Sequence, residues 1–133
     1  MPGGARGTCL SSAVWDGPAG TLYLSGNGTT IGGTKAGGSV GQVNPATGAF
    51  LWRTGLPCAV MGTPSLDSAG ALAAGPYRCV KPATPGAYLI NAAAGAILTA
   101  LPAGGSKVFA QPVFAQGALL LATETAGLYD FAP

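Results

Sequence analysis

The sequence predicts an all-β protein made of short antiparallel strands, and three observations support this fold class. Its apolar runs are about five or six residues long and are bounded by glycine, proline, asparagine or serine, as expected for strands joined by turns. Glycine and proline number 23 and 11 among 133 residues, which leaves little room for helices. The chain is nevertheless 48% hydrophobic and 8% charged, and this composition favours a folded core over disorder.

The third observation is an internal repeat with a period of about 47 to 50 residues. The segment 44–52, NPATGAFLW, returns at 91–99 as NAAAGAILT, an offset of 47 residues. Gly-Ala-Leu at 70–72 returns at 117–119 with the same offset, and Gly-Thr-Leu at 20–22 precedes residues 70–72 by 50. Because these landmarks share one period, the chain consists of repeated structural units.

Each unit is expected to contain four strands, A to D, in an antiparallel meander. The predicted strands lie near 12–15, 21–25, 39–44 and 50–54 in the first unit, near 63–66, 71–75, 87–91 and 96–101 in the second, and near 108–114, 118–123 and 127–131 in the third. The third unit stops before strand D. The glycine-rich residues 25–39 are expected to form a long loop between strands B and C.

Four-stranded antiparallel units with this period are typical of the blades of a β-propeller, which form rings of about four to eight. We therefore predict a single partial propeller domain over 1–133, with blade 1 near 8–57, blade 2 near 58–104 and an incomplete blade 3 near 105–133. About 2.75 blades do not close a ring, and open blades leave apolar surface in water. The remaining blades of a longer protein, another protein, or further copies of this chain that close the ring are the expected partners.

The segment 44–52 resembles the tryptophan-docking motif of propeller repeats of the pyrroloquinoline-quinone (PQQ) type, a quinoprotein-like relative of WD40 and YVTN-like repeats. Asn44 stands where that family usually has aspartate, Thr47 and Gly48 form the turn, and Trp52 takes the docking position. The residue types suit these places, since asparagine bonds local backbone, glycine accepts positive φ, and tryptophan offers a large apolar area.

The second copy of the motif departs from the pattern. It keeps Asn91 and Gly95, but Ala94 replaces the threonine of the turn and Thr99 stands where the tryptophan is expected. We therefore expect weaker docking by the second unit.

Enzymes of the resembled family bind PQQ with a calcium ion held by acidic and amide side chains. This chain has no histidine and four acidic residues, namely Asp16, Asp67, Glu124 and Asp130. Asp16 and Asp67 fall in predicted A-to-B turns, a structural role that suits aspartate. No catalytic, cofactor-binding or metal-ligating set is therefore predicted, and no cofactor is evident.

Three hypotheses on function follow. The first is a non-catalytic PQQ-like propeller segment that acts as a binding or scaffold module. The second is a fragment of a PQQ-dependent alcohol or sugar dehydrogenase, with PQQ and calcium bound on blades outside this chain. The third is a propeller that binds sugars or peptides on an exposed Trp15 or Trp52. The sequence leans against an enzyme without deciding the question.

Two of the three cysteines fall in connections that an up-and-down meander brings to one face. Cys58 lies in a D-to-A connection and Cys79 in the B-to-C loop of the same unit. A Cys58–Cys79 disulfide and two free thiols are both open at this point, and Cys9 has no equivalent partner. A disulfide implies an oxidising compartment, so we expect a periplasmic or extracellular protein whose signal sequence lies outside this chain.

The same face carries half of the basic residues. Lys35, Arg78 and Lys81 fall in B-to-C loops beside Tyr77 and form a candidate binding face for an anionic or peptidic partner. The simpler interpretation, solvated loop charges that keep an apolar protein soluble, is favoured. A net charge of +2 without clustering argues against nucleic acid as a partner. No apolar run approaches the roughly 20 residues of a membrane span.

Overall fold

The computed structural model describes residues 11–79 and 86–132, and this part of the chain contains strands and turns but no helix. Cys9 and Lys81 lie outside the described residues, so the fate of the former and the place of the latter in the candidate binding face stay predictions. The strands in chain order are β1 (Val14–Asp16), β2 (Thr21–Gly26), β3 (Thr29–Ile31), β4 (Thr34–Ala36), β5 (Gly38–Val43), β6 (Phe50–Leu56), β7 (Cys58–Ala59), β8 (Ser65–Leu66), β9 (Ala71–Ala74), β10 (Arg78–Cys79), β11 (Gly86–Asn91), β12 (Ile97–Pro102), β13 (Val113–Ala115), β14 (Ala118–Ala122) and β15 (Leu128–Phe131).

Three antiparallel sheets follow one another along the chain, as the repeat predicts. The first has the order β1-β2-β5-β6, the second contains β8, β9, β11 and β12 in chain order, and the third has the order β13-β14-β15. Each is a meander in which neighbouring strands of the sheet are consecutive A-to-D strands of one repeat unit. The predicted fold class is confirmed at the level of these sheets.

In the first two units, an aspartate side chain accepts backbone N–H groups of the turn between strands A and B. The carboxylate of Asp16 accepts the backbone N–H of Ala19 at 3.2 Å, and that of Asp67 accepts the N–H groups of Ala69 and Ala71 at 3.0 and 2.7 Å. These contacts satisfy donors that the turn takes out of the ladder. Both side chains therefore stabilise hairpins.

The prediction of a loop over residues 25–39 is wrong in one respect, because this segment contains a two-stranded hairpin. Strands β3 and β4 pair from Thr29 with Ala36 to Ile31 with Thr34. Gly32 and Gly33 connect them with φ values of 55° and 82°, as a tight hairpin turn with two left-handed residues requires. The threonines on both sides of this Gly-Gly pair favour strand, and the sequence prediction overlooked them.

Strand A of the third unit begins later than predicted, at Val113 rather than near residue 108. Val108 is instead fully buried, and its N–H donates to the carbonyl of Pro76 at 2.9 Å. This backbone bond ties the connection to the segment that follows β9, so Val108 itself does not pair with β14. The apolar character of Val108 reflects this burial and not a strand, whereas Phe109 is 48% exposed.

Two hydrophobic cores lie between successive sheets. The core between the first and second sheets contains Tyr23, Val40, Leu56, Cys58, Val60, Leu72, Ala74, Tyr88, Ile90 and Ala92. The core between the second and third contains Ala73, Ala87, Ala103, Val108, Leu119 and Leu121. Because side chains alternate along a strand, β9 contributes Leu72 and Ala74 to one core and Ala73 to the other. The second sheet is therefore covered on both faces, as a blade inside a propeller is.

Candidate functional site

The contact between the first and second sheets is centred on Trp52, which β6 presents toward the second sheet. The indole Nε1 donates to the carbonyl of Ala92 at 2.9 Å. Ala92 lies in the β11–β12 turn, and the hydroxyl of Thr54 donates to the carbonyl of Gly95 in that same turn. The tryptophan thus joins its own sheet to the turn of the next.

Gly95 lies directly against the face of the Trp52 indole ring. Its φ is 72°, and a Cβ atom added there would lie 2.5 Å from Cε3 of Trp52. The residue must therefore be glycine for two separate reasons, since the backbone is left-handed and the space above it is filled. Gly48, at the same place in the first unit, also has a φ of 72°, but nothing lies within 4 Å of such an atom.

The two turns of the repeat motif share one local design. In the first, the side chain of Asn44 accepts the N–H of Ala46 at 2.9 Å, its carbonyl accepts the N–H of Gly48 at 2.8 Å, and the hydroxyl of Thr47 accepts the N–H of Ala49 at 3.2 Å. These are Asx-turn contacts that fix the approach to β6. The threonine adds one contact and is not essential to the shape.

The second turn repeats the asparagine contacts. The side chain of Asn91 accepts the N–H groups of Ala93 and Ala94 at 3.0 and 2.9 Å, and its carbonyl accepts the N–H of Gly95 at 2.7 Å. Thr99, at the place of the missing tryptophan, is exposed. Within the described residues, the third sheet has no C-to-D turn that such a tryptophan could contact.

A buried polar network lies beside the indole. The ring of Tyr23 packs against Trp52 with centroids 6.1 Å apart, and its hydroxyl lies 3.4 Å from both the carbonyl of Ala92 and the carboxylate of Asp16. The side-chain amide of Gln42 donates to this hydroxyl at 3.2 Å. Burial raises the pKa of Tyr23, and the negative charge of Asp16 raises it further. The phenol therefore stays neutral over the physiological range.

Cys58 and Cys79 are joined by a disulfide between strands β7 and β10, with Cα atoms 3.9 Å apart. The two residues face each other in the antiparallel pairing of these strands, and Ala59 faces Arg78. The hydroxyl of Tyr88 lies 3.6 Å from Sγ of Cys58 and is the donor, since a disulfide sulfur carries no proton. Burial raises the pKa of Tyr88.

The candidate binding face is only partly a cluster. Arg78 on β10 and Lys35 on β4 are both exposed but belong to different hairpins. Tyr77 packs edge-on against Phe109 with centroids 5.5 Å apart, and the ammonium group of Lys107 lies 5.2 Å from its ring centroid. Tyr77 thus has a cationic neighbour that sequence reasoning missed, because Lys107 belongs to the next unit.

Lys35 borders an open groove of about 630 Å³ beside the β3–β4 hairpin. Its other walls are largely apolar, with Ile31, Ala36, Leu56 and Pro57 among them. A second cavity, of about 650 Å³, lies between the second and third sheets and is lined by Leu66, Leu89, Leu101, Phe114, Leu119 and Phe131 together with the loops around them. The polar side chains on the second cavity are Asp67, Ser68 and Gln116, and the carboxylate of Asp67 is bonded to the N–H groups of its own turn.

The acidic residues do not converge. Asp16 and Asp67 hold turns in different sheets, while Glu124 and Asp130 are exposed. Across residues 11–79 and 86–132, no group of three or more histidine, cysteine, aspartate or glutamate side chains is placed to hold a metal ion. The described part of the chain also contains no helix long and apolar enough to span a membrane.

The chain was compared with family models, curated proteins and solved structures. A scan against protein-family models and a search of curated proteins find no match to the chain. Among solved structures, a europium-containing methanol dehydrogenase matches 90% of this chain with a TM-score of 0.57 and 13% sequence identity. The match covers 23% of the dehydrogenase chain, so this chain spans less than a quarter of its length. At such low identity the likeness establishes the fold alone: a β-propeller of antiparallel blades with an incomplete ring.

Proposed function

We propose that this chain is a non-catalytic segment of a PQQ-like propeller and serves as a binding or scaffold module of a secreted or cell-envelope protein. The observation that carries this proposal is the docking of Trp52 on Ala92 and Gly95, which joins two blades through the motif that resembles PQQ-type repeats. In this chain the motif performs blade assembly. Its side chains are committed to turns and to the blade interface, which leaves none of them free for chemistry.

The disulfide supports the proposed location. A bond between Cys58 and Cys79 persists in oxidising compartments such as the periplasm or the extracellular space. It fastens the β7–β10 pair, which carries the exposed Arg78, so the candidate binding face rests on a covalently fixed support. A partner that binds this face would meet a preformed surface.

A second function is favoured by one observation, the likeness to the europium-containing methanol dehydrogenase. Under this alternative, the chain is a fragment of a PQQ-dependent alcohol or sugar dehydrogenase whose cofactor site lies on other blades. The third hypothesis, ligand stacking on tryptophan, now concerns Trp15 alone. That residue is 58% exposed, whereas Trp52 rests on Gly95.

The first two functions predict different responses to the cofactor once the ring is complete, because the alternative places the cofactor site on blades outside this chain. The full-length protein, with all the blades of its ring, is titrated with PQQ in the presence of calcium or europium(III), with tryptophan fluorescence, light-scattering mass and methanol-dependent dye reduction as readouts. A scaffold module shows no saturable fluorescence change, no change of mass and no dye reduction. Saturable binding, a cofactor-dependent change of mass or dye reduction overturns the non-catalytic proposal in favour of the dehydrogenase.

A further inference from the structure

The outer face of the first blade is apolar, and within the described residues the β3–β4 hairpin covers the part of it near Gly55 and Arg53 of β6. Pairing aligns Trp15 with Leu22, Leu22 with Val43, and Val43 with Phe50, so one side chain from each of the four strands lies in a single row. Trp15 is 58% and Phe50 40% exposed. We call this row, together with Arg53, the front face.

Arg53 is held in a defined position on the front face. Its guanidinium lies 4.9 Å from the ring centroid of Phe50, and Nη2 donates to the hydroxyl of Thr29 at 2.6 Å. Its Nε atom is buried and has no hydrogen-bond partner in the described part of the chain. Asp16, the other charged residue on these strands, faces the opposite side with Tyr23. The front face thus presents one fixed positive charge in an apolar setting.

The outer face of the third blade is the counterpart. Val113 pairs with Leu120, and Leu120 pairs with Asp130. Leu128 lies two residues before Asp130 on β15 and therefore faces the same side of the sheet. Leu119 is turned to the opposite side, into the core shared with the second blade. Val113 is 51% and Leu128 68% exposed. These four outward residues, Val113, Leu120, Leu128 and Asp130, form the back face.

Asp130 is the only charged residue on strands β13 to β15. The two outer faces are therefore complementary. Each is an apolar row with a single charge, and the two charges have opposite signs. In a propeller, each blade packs its face on the C-terminal side against the next blade's face on the N-terminal side. The back face of the third blade and the front face of the first blade are such a pair.

We propose that two copies of this chain associate head to tail, with the front face of each against the back face of the other and Arg53 facing Asp130 across both contacts. This inference rests on the proposed scaffold function and names the partner. The described part of one chain supplies three blade sheets, the third with three strands, so two copies supply six, within the range of about four to eight blades for closed propellers, and three copies would supply nine. Two identical head-to-tail contacts related by a twofold axis close the assembly.

Burial of the pair satisfies both charges. Arg53 gains a carboxylate acceptor beside a face whose apolar residues exclude water, and Asp130, which is exposed on its own blade, gains the N–H donors of the guanidinium. A like pair at the same place would leave two equal charges in apolar surroundings, which is strongly unfavourable. The charges therefore set the register and direction of the contact.

Charge reversal tests the arrangement. The wild-type chain is expected to show twice its mass of 12.9 kDa by light scattering. Arg53→Glu and Asp130→Arg should each weaken self-association by roughly 100-fold or more, because both contacts then bring two like charges together.

An equimolar mixture of the two variants should regain the dimer. In the mixed dimer, the glutamate introduced in one copy faces the arginine introduced in the other, and the remaining contact is the native Arg53–Asp130 pair. Glu124→Arg, which changes an exposed acid outside the back face, is the matched control and should leave the dimer intact.

Circular dichroism shows whether each variant folds, and recovery in the mixture shows it independently. A monomeric or polydisperse wild type overturns the proposal, as do single variants that dimerise with unchanged affinity or a mixture that stays monomeric. None of these results affects the non-catalytic function, which fails only if PQQ binds or dye is reduced.

Discussion

At the scale of single residues, the blade interface depends on a few side chains with little freedom. The carbonyl of Ala92 lies within hydrogen-bonding distance of both the indole N–H of Trp52 and the hydroxyl of Tyr23. Gly95 admits the indole, and Gln42 donates to the phenol that packs beside it. The largest side chain of the interface is thus fixed by polar groups at its rim as well as by apolar contact.

Tyr23 makes stability depend on pH in the alkaline range. Its pKa is raised by burial and by the charge of Asp16, so the folded state favours the neutral phenol. The stabilisation is complete below the ordinary pKa of about 10 and is lost as the pH rises through the higher folded pKa. We expect the difference in unfolding free energy between the wild type and Tyr23→Phe to shrink above pH 10.

Urea unfolding between pH 8 and pH 11 measures this difference. Tyr88, whose pKa burial also raises, gives an internal comparison, because the double variant Tyr23→Phe, Tyr88→Phe should depend least on alkaline pH. A difference between wild type and Tyr23→Phe that stays constant to pH 11 contradicts this assignment.

The sequence predicts the residue types of the interface but not their partners. Asn44, Gly48 and Trp52 follow from the repeat, because turns and a docking tryptophan have characteristic residues. The contact of Gly95 with the indole of Trp52 does not follow, since the repeat marks Gly95 only as the counterpart of Gly48. Two glycines with the same φ differ in what lies above them, and this depends on the tertiary arrangement.

At the scale of elements, the strands and turns follow closely from local patterns. Strands β5 and β6 begin and end within about two residues of their predicted positions, because short apolar runs between turn residues are a strong local signal. The β3–β4 hairpin is not predicted, because its strands have only three residues each and contain one apolar residue apiece, Ile31 and Ala36, which is too short a run for the alternation used to locate strands. The burial of Val108 came from a contact with the neighbouring unit, which no local pattern contains.

The Cys58–Cys79 disulfide closes a loop with a sequence separation of 21 residues. A loop of this length is expected to stabilise the fold by about 3 kcal/mol, because the bond removes conformational freedom from the unfolded chain. Reduction should therefore lower the free energy of unfolding by about that amount, measured by urea denaturation with and without a reductant.

The double variant Cys58→Ser, Cys79→Ser serves as the control for the reductant. It should unfold near the reduced wild type and should not respond to the reductant. If the oxidised and reduced wild-type chains unfold at the same urea concentration, the bond contributes nothing and no longer supports an oxidising compartment.

At the scale of the whole molecule, the repeat determines the architecture, whereas the proposed contact between copies depends on the positions of two single charges. Three sheets with a common period stack through two cores, and the resulting propeller arrangement was predictable from spacing alone. The proposed pairing of the front and back faces was not, because it requires knowing which side of each strand Arg53 and Asp130 occupy. That information enters only with the register.

The proposal of a non-catalytic module follows mainly from the residue types of the chain. The chain has no histidine and four acids, and the structure places two of those acids within turns. The candidate binding face was drawn from loop positions, and the packing of Tyr77 against Phe109 and Lys107 shows that contacts between units redistribute such residues. Side chains placed by different units cannot be grouped reliably from spacing.

The docking of Trp52 on Gly95 joins the blades, and a double-mutant cycle measures this coupling. Gly48→Ala should lower the unfolding free energy by about 1 to 2 kcal/mol, since alanine is strained at a φ of 72°. Gly95→Ala should cost about 1 to 3 kcal/mol more, because its methyl group also meets the indole. Trp52→Ala alone should cost about 3 kcal/mol, at the lower end for a tryptophan that is only partly buried.

In the Trp52→Ala background the indole is gone, and an added Cβ at Gly95 still meets Thr54 Oγ1, at 2.9 Å. The extra cost of Gly95→Ala over Gly48→Ala should therefore fall to the small part that this contact imposes. Urea denaturation of the wild type and these variants gives all the terms of the cycle. Equal costs for the two glycine variants in the wild type, or an extra cost at Gly95 that is undiminished without the tryptophan, would refute docking as the link between the blades.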